Sequence, residues 1–177
     1  GGYGAIKETG VTLVPHLGFK ELDPLGRAEW IKFVALFVGR EREANTVFQE
    51  IADRYEALKE KVAKADDKRP TVFSGEMHGG NWHAVGGKNY LAQIFRDAGA
   101  DYVIQDDNTG GEPIDFEAMY VKAAQADYWR ILNSFPGDFS YEALAKSEPR
   151  NKLFKAYNDR HVIYCNMKRQ PYYEISP

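Results

Sequence analysis

Asp66-Asp67-Lys68-Arg69-Pro70-Thr71-Val72-Phe73-Ser74 divides the chain into two kinds of sequence. Its first five residues are a polar linker that ends in proline. The next four are a β-branched and aromatic run that reads as a strand. Behind this stretch, Ala44, Val47, Phe48, Ile51, Tyr55, Leu58 and Val62 recur at three- and four-residue spacing, the period of one face of an α-helix. From Glu41 to Ala65 that helix runs roughly 25 residues, or about 37 Å at ~1.5 Å per residue, long enough to cross from one lobe to another. Its other face is charged (Arg42, Glu43, Arg54, Glu56, Lys59, Glu60, Lys61), which reads as a solvated face rather than a binding patch. Ahead of the linker, short strands alternate with helices. Strands are expected at Thr71–Ser74, Tyr102–Gln105, Tyr128–Leu132 and His161–Asn166. Helices are expected at Asn89–Ala98 and from Asp115 through Ala124, with shorter ones from Ser140 and over Arg150–Ala156. This order defines an α/β three-layer sandwich with a mainly parallel sheet. In such sheets ligands sit outside the carboxyl ends of the strands, here the loops starting near Gly75, Asp106, Asn133 and Asn166.

Further upstream, Val11–Val14 reads as a strand ended by Pro15. Asp23-Pro24 reads as a helix start, with Asp as N-cap and Pro at the first helical position. That helix carries Trp30, Ile31, Val34, Ala35 and Val38 on one stripe, and Gly39 closes it. Composition sets outer limits. The 177 residues are 44% hydrophobic and 28% charged, with 11 Tyr, 10 Phe and 3 Trp, a balance that excludes disorder as the main state. A net charge of −3 without a basic run points away from nucleic acid. One Cys excludes an internal disulfide framework. No apolar run approaches the roughly 18 residues of a membrane-spanning helix. Residue 1 is Gly, and the chain stops at Ile175-Ser176-Pro177 without a closing element, so it is expected to be a piece of a longer protein.

The densest chemistry lies between Ser74 and Gly87. Its glycines let backbone approach a ligand. Trp82 offers a flat face, and Glu76, His78 and His83 offer polar or metal-binding atoms, with Met77 and Asn81 between them. A zinc site needs three or four ligands in fixed geometry. His78-x4-His83 is not a metalloprotease spacing, and a tight hairpin with partly buried histidines accounts for the same residues. Glu76 with the two histidines as an acid/base or metal-assisted enzyme site stays open at this point. Asp106, Asp107, Glu112, Asp115 and Glu117 form an acidic group without the order of a calcium loop. Asp106, Asp107 and Asp115 read as turn and cap residues. Glu117 differs, because it falls in the first turn of its helix, where the dipole favours an exposed carboxylate. In the last loop, Lys168 and Arg169 beside Tyr172 and Tyr173 suit an anionic ligand with flat groups. Packing of the tyrosines under a further helix suits them equally.

Several short motifs then fall into one order. Asp23-Pro24-Leu25-Gly26-Arg27-Ala28-Glu29-Trp30-Ile31-Lys32 precedes Glu41-Arg42-Glu43-Ala44-Asn45 and the long helix. Arg69-Pro70-Thr71-Val72-Phe73, Gly86-Gly87-Lys88-Asn89-Tyr90, Asp97-Ala98-Gly99-Ala100, Ile114-Asp115-Phe116-Glu117 and Ala126-Asp127 follow. From about Gly4 to Pro177 the chain resembles the periplasmic substrate-binding proteins of iron-siderophore, haem and cobalamin ABC importers, especially Bacteroides-type members. The resemblance implies two α/β lobes joined by one long helix, with the ligand between them. Residues 1–40 would then be a remnant of the N-terminal lobe, 41–65 the connecting helix, and 71–177 the C-terminal lobe without its final helix. It implies a metal chelate as ligand and no cofactor or catalysis of the protein's own. It also implies a periplasmic place peripheral to the membrane, lipid-anchored at full length. Glu76, Met77, His78, Asn81, Trp82, His83, Lys168, Arg169 and Tyr172 would face the ligand. Glu117 matches the carboxylate that docks onto arginines of the membrane permease.

Overall fold

The computed structural model describes residues 3–65, 68–135 and 139–166. A short helix α1 (Gly4–Glu8) and a 3-10 turn (Gly18–Lys20) lead into α2 (Pro24–Ala35) and the long α3 (Glu41–Ala63). Then come β1 (Thr71–Ser74), a hairpin of β2 (Glu76–His78) and β3 (Asn81–His83), α4 (Tyr90–Asp97), β4 (Asp101–Tyr102), β5 (Pro113–Ile114) and α5 (Phe116–Ala123). The remainder is β6 (Tyr128–Phe135), α6 (Tyr141–Ser147), a 3-10 segment (Pro149–Leu153), α7 (Lys155–Asn158) and β7 (Val162–Asn166).

The main sheet has the order β4-β1-β6-β7 and is parallel throughout. From β1 the chain steps to β4 on one side. It then crosses back over β1 to β6 and continues to β7. Right-handed crossovers running in opposite directions place α4 on one face and α5 to α7 on the other, which makes three layers. The strand order reverses between β1 and β6, so the crevice expected of such sheets lies at their carboxyl ends. Val72, Phe73 and Ser74 of β1 are all buried, as expected of a strand covered on both faces. Phe73 packs on Trp129 of β6 and on Phe154, with ring centroids 5.3 and 4.8 Å apart. On the other face Phe95 of α4 meets Tyr102 of β4 at 5.3 Å.

Local chemistry sets the helix starts. Asp23 Oδ1 accepts from Gly26 N at 2.7 Å, Asn89 Oδ1 from Leu91 N at 3.0 Å, and Ser140 Oγ from Ala143 N at 3.0 Å. Asp115 occupies the N-cap position of α5 with an extended backbone, but its side chain makes no capping bond. Long-range ties fix the sheet to its helices. The Asp127 carboxylate accepts from Thr71 N at 2.9 Å, from Thr71 Oγ1 at 3.0 Å and from Lys155 Nζ at 2.9 Å. The Thr71 amide, then Lys155, hold its carboxyl well down, at about 2. Helix α3 is fastened to α4 by Tyr55, whose hydroxyl donates to Asp97 Oδ2 at 2.8 Å. Burial, with Asp97 beside it, pushes that phenol far above its ordinary value. Arg69 closes the junction, with Nε on Asp101 at 2.9 Å and Nη2 on the carbonyls of Arg96 and Ala100 at 3.2 and 3.1 Å.

The structure differs from the sequence reading upstream of α3. Val11–Val14 is not a strand. A strand exists only against a partner ladder, none pairs with it among the described residues, and Val11 and Val14 are exposed. The α2 stripe is also mostly open, with Ile31, Val34 and Val38 exposed and only Ala35 buried. Helix α2 ends at Ala35, and Gly39 stands beyond it at a φ of 65°.

Candidate functional site

The chain leaves β1 at Ser74 and turns at once into the hairpin. Gly75 has a φ of 102°, and a Cβ there would lie 2.0 Å from the His83 carbonyl oxygen, so only glycine fits. Gly79 and Gly80, at φ of 58° and 88°, supply the two left-handed residues of a tight two-residue turn. The register pairs Glu76 with His83, Met77 with Trp82 and His78 with Asn81. Successive side chains on a strand point to opposite faces. Glu76, His78, Asn81 and His83 therefore share one face, and Met77 and Trp82 the other.

The inner face is bolted to the sheet. Trp82 is 0% exposed, and its Nε1 donates to the Ser74 carbonyl at 2.9 Å. Trp129 Nε1 donates to the next carbonyl, Gly75, at 2.8 Å. Beside them, Tyr102 gives its only hydroxyl proton to the Val85 carbonyl at 2.6 Å, so Ser74 Oγ, 2.6 Å from that hydroxyl, is the donor in their bond. Burial pushes the Tyr102 phenol far up, which keeps it protonated for this bond. This corrects the expectation for Trp82: the indole is a core group with no surface to offer a ligand. Met77 also leans on the core and is half-buried.

The outer face holds the polar groups. Glu76 Oε2 accepts from Leu132 N of β6 at 3.0 Å, at an irregularity in the β6–β7 register between Arg130 and Ser134. That bond crosses the point where the strand order reverses. His78 and His83 are exposed, their rings 6.0 Å apart and edge to face. His83 Nε2 lies 3.1 Å from the His78 carbonyl. A carbonyl only accepts, so this bond needs the proton on Nε2 and leaves Nδ1 of the neutral ring with a free lone pair. A histidine oriented this way is suited to coordinate a metal centre. Among the described residues, no three His, Cys, Asp or Glu side chains converge to hold a bare metal ion. Lys168, Arg169 and Tyr172 lie outside the described residues.

Of the acidic group, Asp106 is structural. Its Oδ1 accepts from Gly87 N at 2.7 Å and from Asn108 N at 3.1 Å, which ties the β4 exit loop to the end of the hairpin segment. Glu117 stands apart on α5, 78% exposed, with Oε1 3.1 Å from Arg150 Nη1. Sequence reasoning did not single out Trp129, Tyr102 or Arg150. Trp129 and Tyr102 carry the ordinary signal of strand interiors, and Arg150 becomes visible only once the 3-10 segment is folded beside α5.

A parallel, doubly wound unit with a polar hairpin over its switch point places that hairpin where ligands of such sheets sit. Residues 8–168 match the family model described as periplasmic binding protein, and the chain belongs to that family. It is 30% identical over 161 residues to an uncharacterized lipoprotein of Methanocaldococcus jannaschii, MJ0878, covering 89% of this chain and 37% of the relative. A second lipoprotein of that organism, MJ0872, is 30% identical over 156 residues, covering 86% and 40%. The chain thus spans well under half the length of these relatives. Among solved structures, a possible iron-binding periplasmic solute-binding protein from Staphylococcus epidermidis superposes with a TM-score of 0.68 at 15% identity, covering 92% of this chain and 60% of the other. The periplasmic haem-binding protein HutB of Vibrio cholerae gives 0.68 at 16% identity, covering 91% and 61%. These structures share the fold.

Proposed function

We propose that the chain is part of the substrate-binding component of an ABC importer. In this reading it captures a metal chelate of the iron-siderophore, haem or cobalamin type and hands it to the membrane permease. Residues 71–177 form the C-terminal lobe, 41–65 the connecting helix, and 1–40 the tail of the N-terminal lobe. The ligand lies against the outer face of the hairpin, on Glu76, His78, Asn81 and His83. Glu117 is the permease contact of this lobe. The protein works outside the cytoplasmic membrane, held to its surface by a lipid anchor; no described helix is long and apolar enough to cross a bilayer.

The observation that carries this reading is the hairpin itself: four polar side chains share its outer face, with His78 and His83 exposed and Glu76 and Asn81 half-buried, at the switch point of the sheet in a chain of the periplasmic binding protein family. The names of the lipoprotein relatives support the anchored location. The exposed imidazoles of His78 and His83, 6.0 Å apart, favour a chelate whose metal has an open coordination position. The test is a titration of the protein at its natural length with haemin, aquacobalamin and a set of ferric siderophores, followed by visible absorption and calorimetry. Saturable one-to-one binding of one of them, weakened at least about tenfold by paired His78→Ala and His83→Ala, is expected. Binding of none of them, with turnover of a substrate lost on Glu76→Gln, would replace this reading with an acid/base enzyme.

A further inference from the structure

Glu117 does not stand alone on the surface. Arg150, on the 3-10 segment, is held from two other sides. Its Nε and Nη2 grip the two carboxylate oxygens of Glu148 at 2.9 and 3.0 Å, and its guanidinium lies 4.1 Å over the Phe116 ring. Glu148 is itself fixed, because Oε1 also accepts from Arg150 N at 3.0 Å and its side chain is only 16% exposed. The guanidinium cannot follow Glu117 about; it offers Nη1 from a fixed place. Glu117 Oε1 takes that hydrogen bond, and Oε2 has no partner among the described residues. Two exposed apolar residues stand one turn along from the pair on its two elements. Val121 follows Glu117 by one helical turn and is 84% exposed, while Leu153, three residues beyond Arg150, is 52% exposed. Two carboxylates against one guanidinium leave the cluster one net negative charge.

We propose that Arg150 is a positioning residue, fixing Glu117 as the charged centre of a docking patch bordered by Val121 and Leu153. The occupant is a cationic side chain, set among apolar ones, on the outward surface of the permease; this rests on the reading of Glu117 given above. Arg150 freezes the Glu117 rotamer before encounter, so less side-chain freedom is lost on docking. It also leaves one oxygen turned outward for the incoming cation. The opposite expectation is equally concrete: a cation behind Glu117 repels the partner's cation, and its removal should tighten docking.

The test uses the protein at its natural length and its permease complex in lipid nanodiscs, with affinity read by biolayer interferometry at several salt concentrations. Glu117→Gln is expected to weaken docking about tenfold and Arg150→Ala about threefold to fivefold. In the Glu117→Gln background Arg150→Ala should add nothing, because the two act as one unit. Glu148→Gln, which loosens the guanidinium without removing it, should cost about twofold, and Val121→Ser about twofold to threefold. If Arg150→Ala leaves docking unchanged or tightens it while Glu117→Gln weakens it, the positioning role is overturned and the docking role of Glu117 stands. A loss on Arg150→Ala that persists without Glu117 also overturns it, since that is a structural effect. If Glu117→Gln changes nothing, the docking reading itself fails.

Discussion

Trp82 and His83 are neighbours in sequence and opposites in consequence. Trp82→Ala removes a fully buried ring and the donor to Ser74, so it should lower stability by about 3–5 kcal/mol in urea unfolding. His83→Ala, at an exposed position, should leave stability within about 0.5 kcal/mol. A loss of ligand binding in the first variant would therefore say nothing about contact, whereas in the second it would. Asp127 gives a pH signature. Its carboxyl is depressed in the folded state, so its stabilisation is present above the ordinary carboxylate value of about 4. It drains away as pH falls toward about 2, where the folded-state group takes up its proton. Asp127→Asn should be less stable at neutral pH and should lose this part of the acid slope, read from urea midpoints between pH 6 and about 2.

At the scale of elements, the hairpin and the α3–α4 junction are the two rigid joints. Gly75→Ala must place a methyl on the His83 carbonyl at a positive φ, and should cost about 2–5 kcal/mol by thermal or urea unfolding. Tyr55→Phe removes one hydrogen bond to Asp97 and should cost about 1 kcal/mol, with faster amide exchange concentrated in the second half of α3. These joints also mark what the sequence could reveal. The long helix, β1, the Asp23 cap and the glycine-rich hairpin were legible, because each rests on a local pattern of period, cap or turn. The division of the hairpin into two faces was not. Nothing local says which strand parity faces the core; that is set by Trp129 and Ser74, which meet Trp82 only in the folded sheet. Hence Trp82 read as a ligand platform and is a core ring. Val11–Val14 had the right composition for a strand and lacked only a partner, which composition cannot supply.

Over the whole molecule, order is unevenly distributed. The sheet carries the aromatic core, and the segment before α3 leaves Val11, Val14, Leu17, Phe19, Phe37 and Val38 exposed. Hydrogen exchange on this 177-residue chain should follow that gradient. Amides of β1 and β6 should exchange only through global unfolding, and those of residues 3–22 orders of magnitude faster. Mass spectrometry of proteolytic fragments reads both at once. Equal protection of the two regions would show that burial in the sheet does not govern cooperativity here.

The alternation along the hairpin separates two kinds of selection. The residues that secure the hairpin point inward or are the glycines of its turns, apart from Glu76, which bonds to Leu132, and His83, whose Nε2 meets the His78 carbonyl. His78, Asn81 and His83 can then be exchanged during divergence without disturbing the indoles beneath them. If the ligand meets the hairpin as proposed, a lineage built on this frame can rewrite what it recognises three side chains at a time while keeping one fold.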